Sequence, residues 1–268
     1  MMCHPSKIEV VEYNPLWLSM YEQEKRVIID ALGKNFVDIY HVGSTSVPGL
    51  VAKPRIDIIA VANDRTMAIK QLENAGYKHK GEWNIPLKCG FTKRDGVEVN
   101  LHLFFDQNHP EIELNLLFRD TLRKDDKLRD EYAATKLKIL QDPDAHKREE
   151  MLSIPVYTVR KRDFIDNVLN RAGFNRIRVM KCLTDRERDF ANKVRRMANC
   201  QDDLETADYE HFMLYRGTSI IGYAGIKLKP EVSVEIFSII DGTDFDYSYQ
   251  YFTKCINEWI RIFDESPP

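Results

Sequence analysis

The sequence predicts an α/β (α+β) protein in two parts, and three observations carry that expectation. Helical spacing alternates with short β-branched runs along the first part. One run, Ile56 to Ala62, is apolar at nearly every position except Asp57, as a central strand buried on both faces would be. Past Ala172-Gly173 a fresh series begins: strand, helix, three strands, helix. The expected division is a first domain over residues 1–172 and a smaller one over 173–268.

Within the first part, Asn14-Pro15 reads as a helix start, Trp17, Met20, Tyr21, Ile28 and Ala31 share a face, and Gly33 offers the stop. Phe36 to Val42 is a short strand leading into the turn Gly43-Ser44-Thr45-Ser46. Asp64 caps a helix that ends at Gly76. Asp95-Gly96 joins two strands, Leu87 to Arg94 and Val97 to Phe105, as a hairpin. From Pro110 the pattern is helical and charged through Leu140, and a last helix is expected from Val156 to Leu169.

Composition narrows the function classes. Of 268 residues, 43% are hydrophobic and 30% charged, which suits a globular protein with real cores. A net charge of -3 argues against bulk nucleic-acid binding through a basic face. No apolar run reaches the roughly 20 residues that span a bilayer, and the first ten residues lack a signal-peptide core. Five scattered cysteines without a C-x-x-C pair point to reduced thiols and a cytoplasmic protein.

The chemistry concentrates at His41-Val42-Gly43-Ser44-Thr45-Ser46-Val47-Pro48-Gly49-Leu50 and the following Lys53-Pro54-Arg55-Ile56-Asp57. A tight hydroxyl-rich loop followed by a strand acid is how phosphate sites are commonly built. Gly43, Ser44, Thr45, Ser46, Lys53 and Arg55 are the candidate phosphate or nucleotide contacts. His41 either orders the turn or joins them. Asp57 is either a metal-holding acid or a buried acid that fixes the loop. On the later strand Glu98, Asn100 and His102 face one way. Glu98 is a candidate second carboxylate, and His102 is a ligand, proton carrier or structural hydrogen-bonder. Arg119, Arg123, Lys136 and Lys161 form either a basic rim or solvated helix faces.

This stretch, with Leu101-His102-Leu103, Phe118-Arg119-Asp120-x-Leu122-Arg123, Tyr132, Lys136 and Tyr157-Thr158-x-x-Lys161-x-x-Phe164-Ile165, resembles the GrpB family, which is related to the nucleotidyltransferase superfamily. The resemblance covers about residues 8–170. It implies a nucleotidyltransferase-like mixed β-sheet with packed helices. It also implies a nucleoside triphosphate as substrate or ligand, and Mg2+ held by strand acids, here Asp57 and Glu98. Asp57, Glu98 and His102 would be the catalytic set. Arg55 stands where a second strand acid is expected, and Asn100 where a histidine is. A fixed positive charge at 55 favours an anion over a divalent cation. The resemblance leaves two readings, transfer of a nucleotidyl group or a catalytically inactive module that holds a nucleotide, a phosphorylated small molecule or a protein partner.

The second part resembles a truncated GNAT acetyltransferase-like domain, through Ile221-Gly222-Tyr223-Ala224-Gly225 and Val234-Glu235-Ile236-Phe237. Acetyl-CoA-dependent transfer is a third option. Against it, Asp241-Gly242-Thr243-Asp244-Phe245-Asp246 lacks the glycine spacing of a pyrophosphate loop and carries three acids.

Overall fold

The computed structural model describes residues 8–82, 84–147, 155–182, 184–197, 209–227, 233–239 and 245–265. The chain divides into two compact units, one over Met1–Glu82 and Lys88–Gly173, the other over Trp83–Leu87 and Phe174–Pro268.

The first unit opens with α1 (Leu16–Leu32). Asn14 starts it: its side-chain oxygen accepts the Leu16 N–H at 3.0 Å, which satisfies a donor that the first turn leaves orphaned. Strand β1 (Phe36–Val42) runs antiparallel to β2 (Ile56–Ala62). The helix α2 (Arg65–Asn74) is capped by Asp64, which accepts the Met67 N–H at 2.6 Å. A two-residue edge strand, β3 (Lys78–His79), precedes β4 (Cys89–Lys93) and β5 (Val99–Phe104). The sheet order is β1-β2-β5-β4-β3, with β2 and β5 parallel and every other pair antiparallel. This is a mixed sheet with packed helices, as the sequence predicts.

Alternation along the central strands builds the core. Ile56, Ile58, Ala60 and Ala62 of β2 and Val99, Leu101 and Leu103 of β5 join Trp17, Tyr21, Ile28 and Leu32 of α1 and Ala68 and Leu72 of α2 in one cluster. Period-2 alternation therefore turns Asp57, Asn100 and His102 to the opposite face. Register confirms the grouping, because Asp57 is paired with Asn100 across β2 and β5.

Two helical stretches are each divided by a break. The helical pattern expected from Pro110 through Leu140 resolves into two helices, α3 (Pro110–Lys124) and α4 (Asp126–Leu140). Asp125 is extended between them and accepts the Leu128 N–H at 2.9 Å, so it caps the second helix instead of continuing the first. Likewise the helix expected from Val156 is α5 (Val156–Arg160) and α6 (Arg162–Arg171), with Lys161 at the junction. The small cluster Val47, Leu50, Leu122 and Tyr132, with Phe118, Phe164 and Ile165 against it, packs these helices onto the loop after β1.

The second unit is a four-stranded antiparallel sheet in the order β6 (Ile177–Lys181), β7 (Tyr209–Arg216), β8 (Ser219–Lys227), β9 (Ser233–Ile239), with α7 (Asp185–Met197) and α8 (Phe245–Glu265). Phe212 and Leu214 of β7, Ala224 and Ile226 of β8, and Phe252, Ile256 and Trp259 of α8 are members of its core. The expected capping box is partly present, since the Thr184 N–H donates to Glu187 Oε2 at 2.9 Å. The expected Gly217 turn is also there. Gly217 has φ +56°, and a Cβ on it would meet the Phe174 carbonyl oxygen at 2.5 Å, so the position admits only glycine without strain. The segment after Leu87 belongs to the first unit, yet Leu87 itself packs on this second core and the Asn84 carbonyl accepts the Lys181 N–H at 2.8 Å. The acidic loop over 241–244 lies outside the described residues.

Candidate functional site

The loop after β1 is fixed by its own polar groups. Ser46 Oγ donates to the Gly43 carbonyl at 2.6 Å, and Thr45 Oγ1 donates to the Arg55 carbonyl at 3.3 Å. Both residues are buried, so their hydroxyls serve the loop. His41 is buried too, stacked on Tyr21 at 4.5 Å, with Nε2 3.1 Å from Thr45 Oγ1. Burial, followed by the charges of Arg123 and Arg119, pulls its pKa down to about 3. A histidine that stays neutral under these conditions orders the loop.

Arg119 and Arg123 reach the loop from α3. Arg119 Nη1 donates to the His41 carbonyl at 2.9 Å, and Arg123 donates from Nε and Nη2 to the Ser46 carbonyl at 2.9 and 2.6 Å. These guanidinium groups pin backbone acceptors, and Arg119 also holds Asp120 in a two-point contact.

Ser44 is different, because its hydroxyl looks outward from the loop at Lys136 of α4, whose Nζ lies 3.1 Å away. Lys136 also donates to the Val51 carbonyl and lies 4.7 Å from the Tyr132 ring centroid. Burial first, and the Lys161 charge second, pull its pKa down to about 7.

Asp57 stands at the centre. Its Oδ1 accepts from Asn100 Nδ2 at 2.8 Å. Its Oδ2 lies against the loop so closely that a Cβ on Gly43 would sit 2.5 Å from it, and Gly43 has φ +69°. Both facts demand glycine there. Burial raises the Asp57 pKa, opposed by the Asn100 bond and then by Lys161, Arg55 and Lys53. Lys53 and Lys161 each place Nζ 4.7 Å from the centroid of the Tyr157 ring. Burial and the Lys53 charge lower the Lys161 pKa to about 8, with Asp57 acting in the opposite sense. The Lys53 pKa is lowered as well, by burial and then by Arg55.

Arg55 and Glu98 neutralise each other: Nε and Nη2 of the arginine donate to Glu98 Oε2 at 3.0 and 2.8 Å. Arg94 adds a third layer, with Nη2 on Asn100 Oδ1 at 2.8 Å and Nε 3.9 Å from Glu98. His102 lies two positions beyond Asn100, where Lys88 Nζ is 3.3 Å from its Nδ1. Burial and that lysine hold the His102 pKa well below its usual value.

The donor set can be weighed against the magnesium pair that the resemblance implies. Asp57 has one oxygen on Asn100 and the other against Gly43, its charged neighbours are cations, and Glu98 is engaged by Arg55. Among the described residues no group of three or more His, Cys, Asp or Glu could hold a metal ion. Hard divalent cations need several oxygen ligands and a negative surround. These residues do not fit a two-metal clamp.

Lys136 and Lys161 were candidates for a rim in the sequence, yet they enter the site itself. The signal that finds them is a repeated spacing, Tyr132-x-x-x-Lys136 and Tyr157-x-x-x-Lys161, which puts an ammonium over a ring one helical turn away. Asn100 as partner of Asp57, and Arg94 behind it, carried no comparable local signal.

Fold and site together define a mixed-sheet α/β protein whose glycine-serine loop, strand acid and converging lysines meet at one end of the central strands. The chain belongs to the GrpB family: the family model described as GrpB protein matches residues 7–171. It is 34% identical over 176 residues to UPF0157 protein BH1888 of Halalkalibacterium halodurans, covering 63% of this chain and 85% of that one. It is 26% identical over 174 residues to the glutamate-rich protein GrpB of Alkalihalophilus pseudofirmus, covering 61% and 95%. The crystal structure of the conserved protein GrpB from Enterococcus faecalis superposes with a TM-score of 0.52 at 28% identity, covering 61% of this chain and 96% of that one. Among the described residues no helix is long and apolar enough to cross a membrane.

Proposed function

We propose that the first unit binds a nucleotide or another phosphorylated small molecule at the start of β2, on a nucleotidyltransferase-like fold. One observation carries this reading. Lys53 and Lys161 share the Tyr157 ring, the Lys161 charge acts on Lys136, and Asp57 is a carboxylate whose charge acts on Lys53 and Lys161. Buried and half-buried lysines that repel one another are costly to hold charged, and an anion placed between them would relieve that cost. Ser44 supplies a hydroxyl at the same place, while Arg55 is paired with Glu98. The reading is of a binding site without a two-metal transfer step, because Arg55 occupies the strand position that a second acid would need.

Calorimetric titration with nucleoside triphosphates and with inorganic phosphate, each with and without magnesium, tests it. The expected result is binding that survives removal of magnesium and is weakened at least about tenfold by Lys161→Met, which is the worth of roughly 1.4 kcal/mol. Binding that strictly requires magnesium and is abolished by Asp57→Ala would instead support nucleotidyl transfer. Absence of binding to every one of these anions would overturn both.

A further inference from the structure

Ser44 and Lys136 make a contact that anion binding alone does not require. Lys136 is 1% exposed, and among the described residues no carboxylate pairs with it. Its Nζ has Ser44 Oγ at 3.1 Å, the Val51 carbonyl, and the Tyr132 ring at 4.7 Å. Burial, and then the Lys161 charge, lower its pKa to about 7, so a large share of it is the neutral amine at neutral pH. A neutral amine within hydrogen-bond reach of a serine hydroxyl is a base facing a nucleophile.

Ser44 also opens on a second space. A pocket of about 30 Å3 adjoins it, walled chiefly by Val47, Leu50, Phe118 and Leu122, with Asn115 and Arg119 as polar members. That is room for a couple of waters or an acetyl-sized group, and the apolar wall favours the latter. Ser44 thus lies between a small apolar pocket and the lysine cluster.

We propose that Ser44 and Lys136 form a nucleophile–base dyad that cleaves a short acyl phosphate, with the acyl group in the apolar pocket and the phosphate toward Lys161 and Lys53. Lys136 Nζ takes the proton of Ser44 Oγ as the oxygen attacks the acyl carbon. The Oγ–C bond forms, the C–O bond to phosphate breaks, and the electron pair leaves on the phosphate oxygen. Water then attacks the acyl-serine, Ser44 regains its proton, and the sum is acyl phosphate plus water giving carboxylate, hydrogen phosphate and one proton. Serine–lysine pairs are an established variant of the serine–histidine arrangement. Placement of the phosphate rests on the anion reading above, whereas the dyad stands on its own geometry.

Two measurements on the full chain test this separately. A fluorophosphonate, which needs no lysine-held phosphate, should label one residue, Ser44. The labelling rate should rise with pH to a plateau with a midpoint near 7, the value that burial sets for Lys136. Ser44→Ala should abolish labelling, and Lys136→Met should slow it by about 100-fold or more with far-UV spectra unchanged. Acetyl phosphate should be consumed with transient acetylation of Ser44, and Ser44→Ala should remove that consumption. Label on another residue, acetyl found on Lys136 in place of Ser44, or a labelling rate independent of pH between about 6 and 8.5 would overturn the dyad. The pH profile decides the matter if Lys136→Met fails to fold. Phosphate titration alone reports the anion reading, so either can fail without the other.

Discussion

At the scale of single residues, Gly43 is held by two requirements at once, a left-handed φ of +69° and an Asp57 oxygen that would lie 2.5 Å from any Cβ. Gly43→Ala should destabilise the protein by about 1–3 kcal/mol through backbone strain alone, more with the clash, as measured by urea unfolding. Gly43→Ala combined with Asp57→Ala should recover only part of the loss, since the φ strain persists. A second residue-scale prediction concerns Lys136 and Lys161, whose pKa values are held down to about 7 and about 8. In an unfolded chain both would titrate near 10.4. Between the two limits the unfolded chain binds more protons than the folded one, so the ligand-free protein should gain stability as pH rises from about 7 to about 10. Anion binding has the opposite sign. A bound anion favours the charged lysines, so protons are taken up and affinity should fall across the same range. Sulfate stays a dianion throughout, and titrating it in two buffers of different ionisation enthalpy should reveal proton uptake near pH 8. A heat independent of buffer would sink this prediction.

Elements show where local signals misled and where they sufficed. The run from Pro110 to Leu140 is helical in pattern throughout, but Arg123-Lys124-Asp125-Asp126 places basic residues at one helix end and a capping acid at the next. Asp125→Ala should cost about 1 kcal/mol in unfolding free energy, whereas in an unbroken helix the same change would be neutral or stabilising. The break lets α4 turn back so that Lys136 meets Ser44. In the same way the junction at Lys161 ends α5 after five residues. By contrast, Ile56 to Ala62 and the Asp95-Gly96 hairpin appear as the local rules require, because a buried central strand and a positive-φ turn are fixed by neighbours in sequence.

At the scale of the whole molecule, each unit has a centre and edges. In the first, β2 and β5 are flanked on both sides and their inward side chains are fully buried. Their amides should exchange with deuterium last, at the free energy of global unfolding, and those of β3 early. In the second unit β7 and β8 should outlast β6 and β9 for the same reason. Early exchange in β2 would contradict this ordering of stability. The family match over residues 7–171 coincides with the first unit except for its excursion at 83–87, which clusters with the second. Nothing in the composition of Trp83-Asn84-Ile85-Pro86-Leu87 marks that excursion, because it depends on Leu87 and Asn84 meeting partners about a hundred residues away.

The sequence by itself determined the secondary structure that alternation and caps encode, the mixed α/β class, and the loop from His41 to Leu50 with its strand acid. It marked Ser44, Lys53, Arg55, Asp57, Glu98 and His102 as candidates for a site, and put Glu98, Asn100 and His102 on one strand face, since strand periodicity is a local property of the backbone. Only the tertiary structure decided what those groups do to one another. It spent Thr45, Ser46 and His41 inside the loop, closed Arg55 on Glu98 and Asn100 on Asp57, and brought in Lys136 and Lys161 from 79 and 104 positions beyond Asp57. The physical reason is that a residue's face follows from its own neighbours, whereas its partners follow from how distant faces pack.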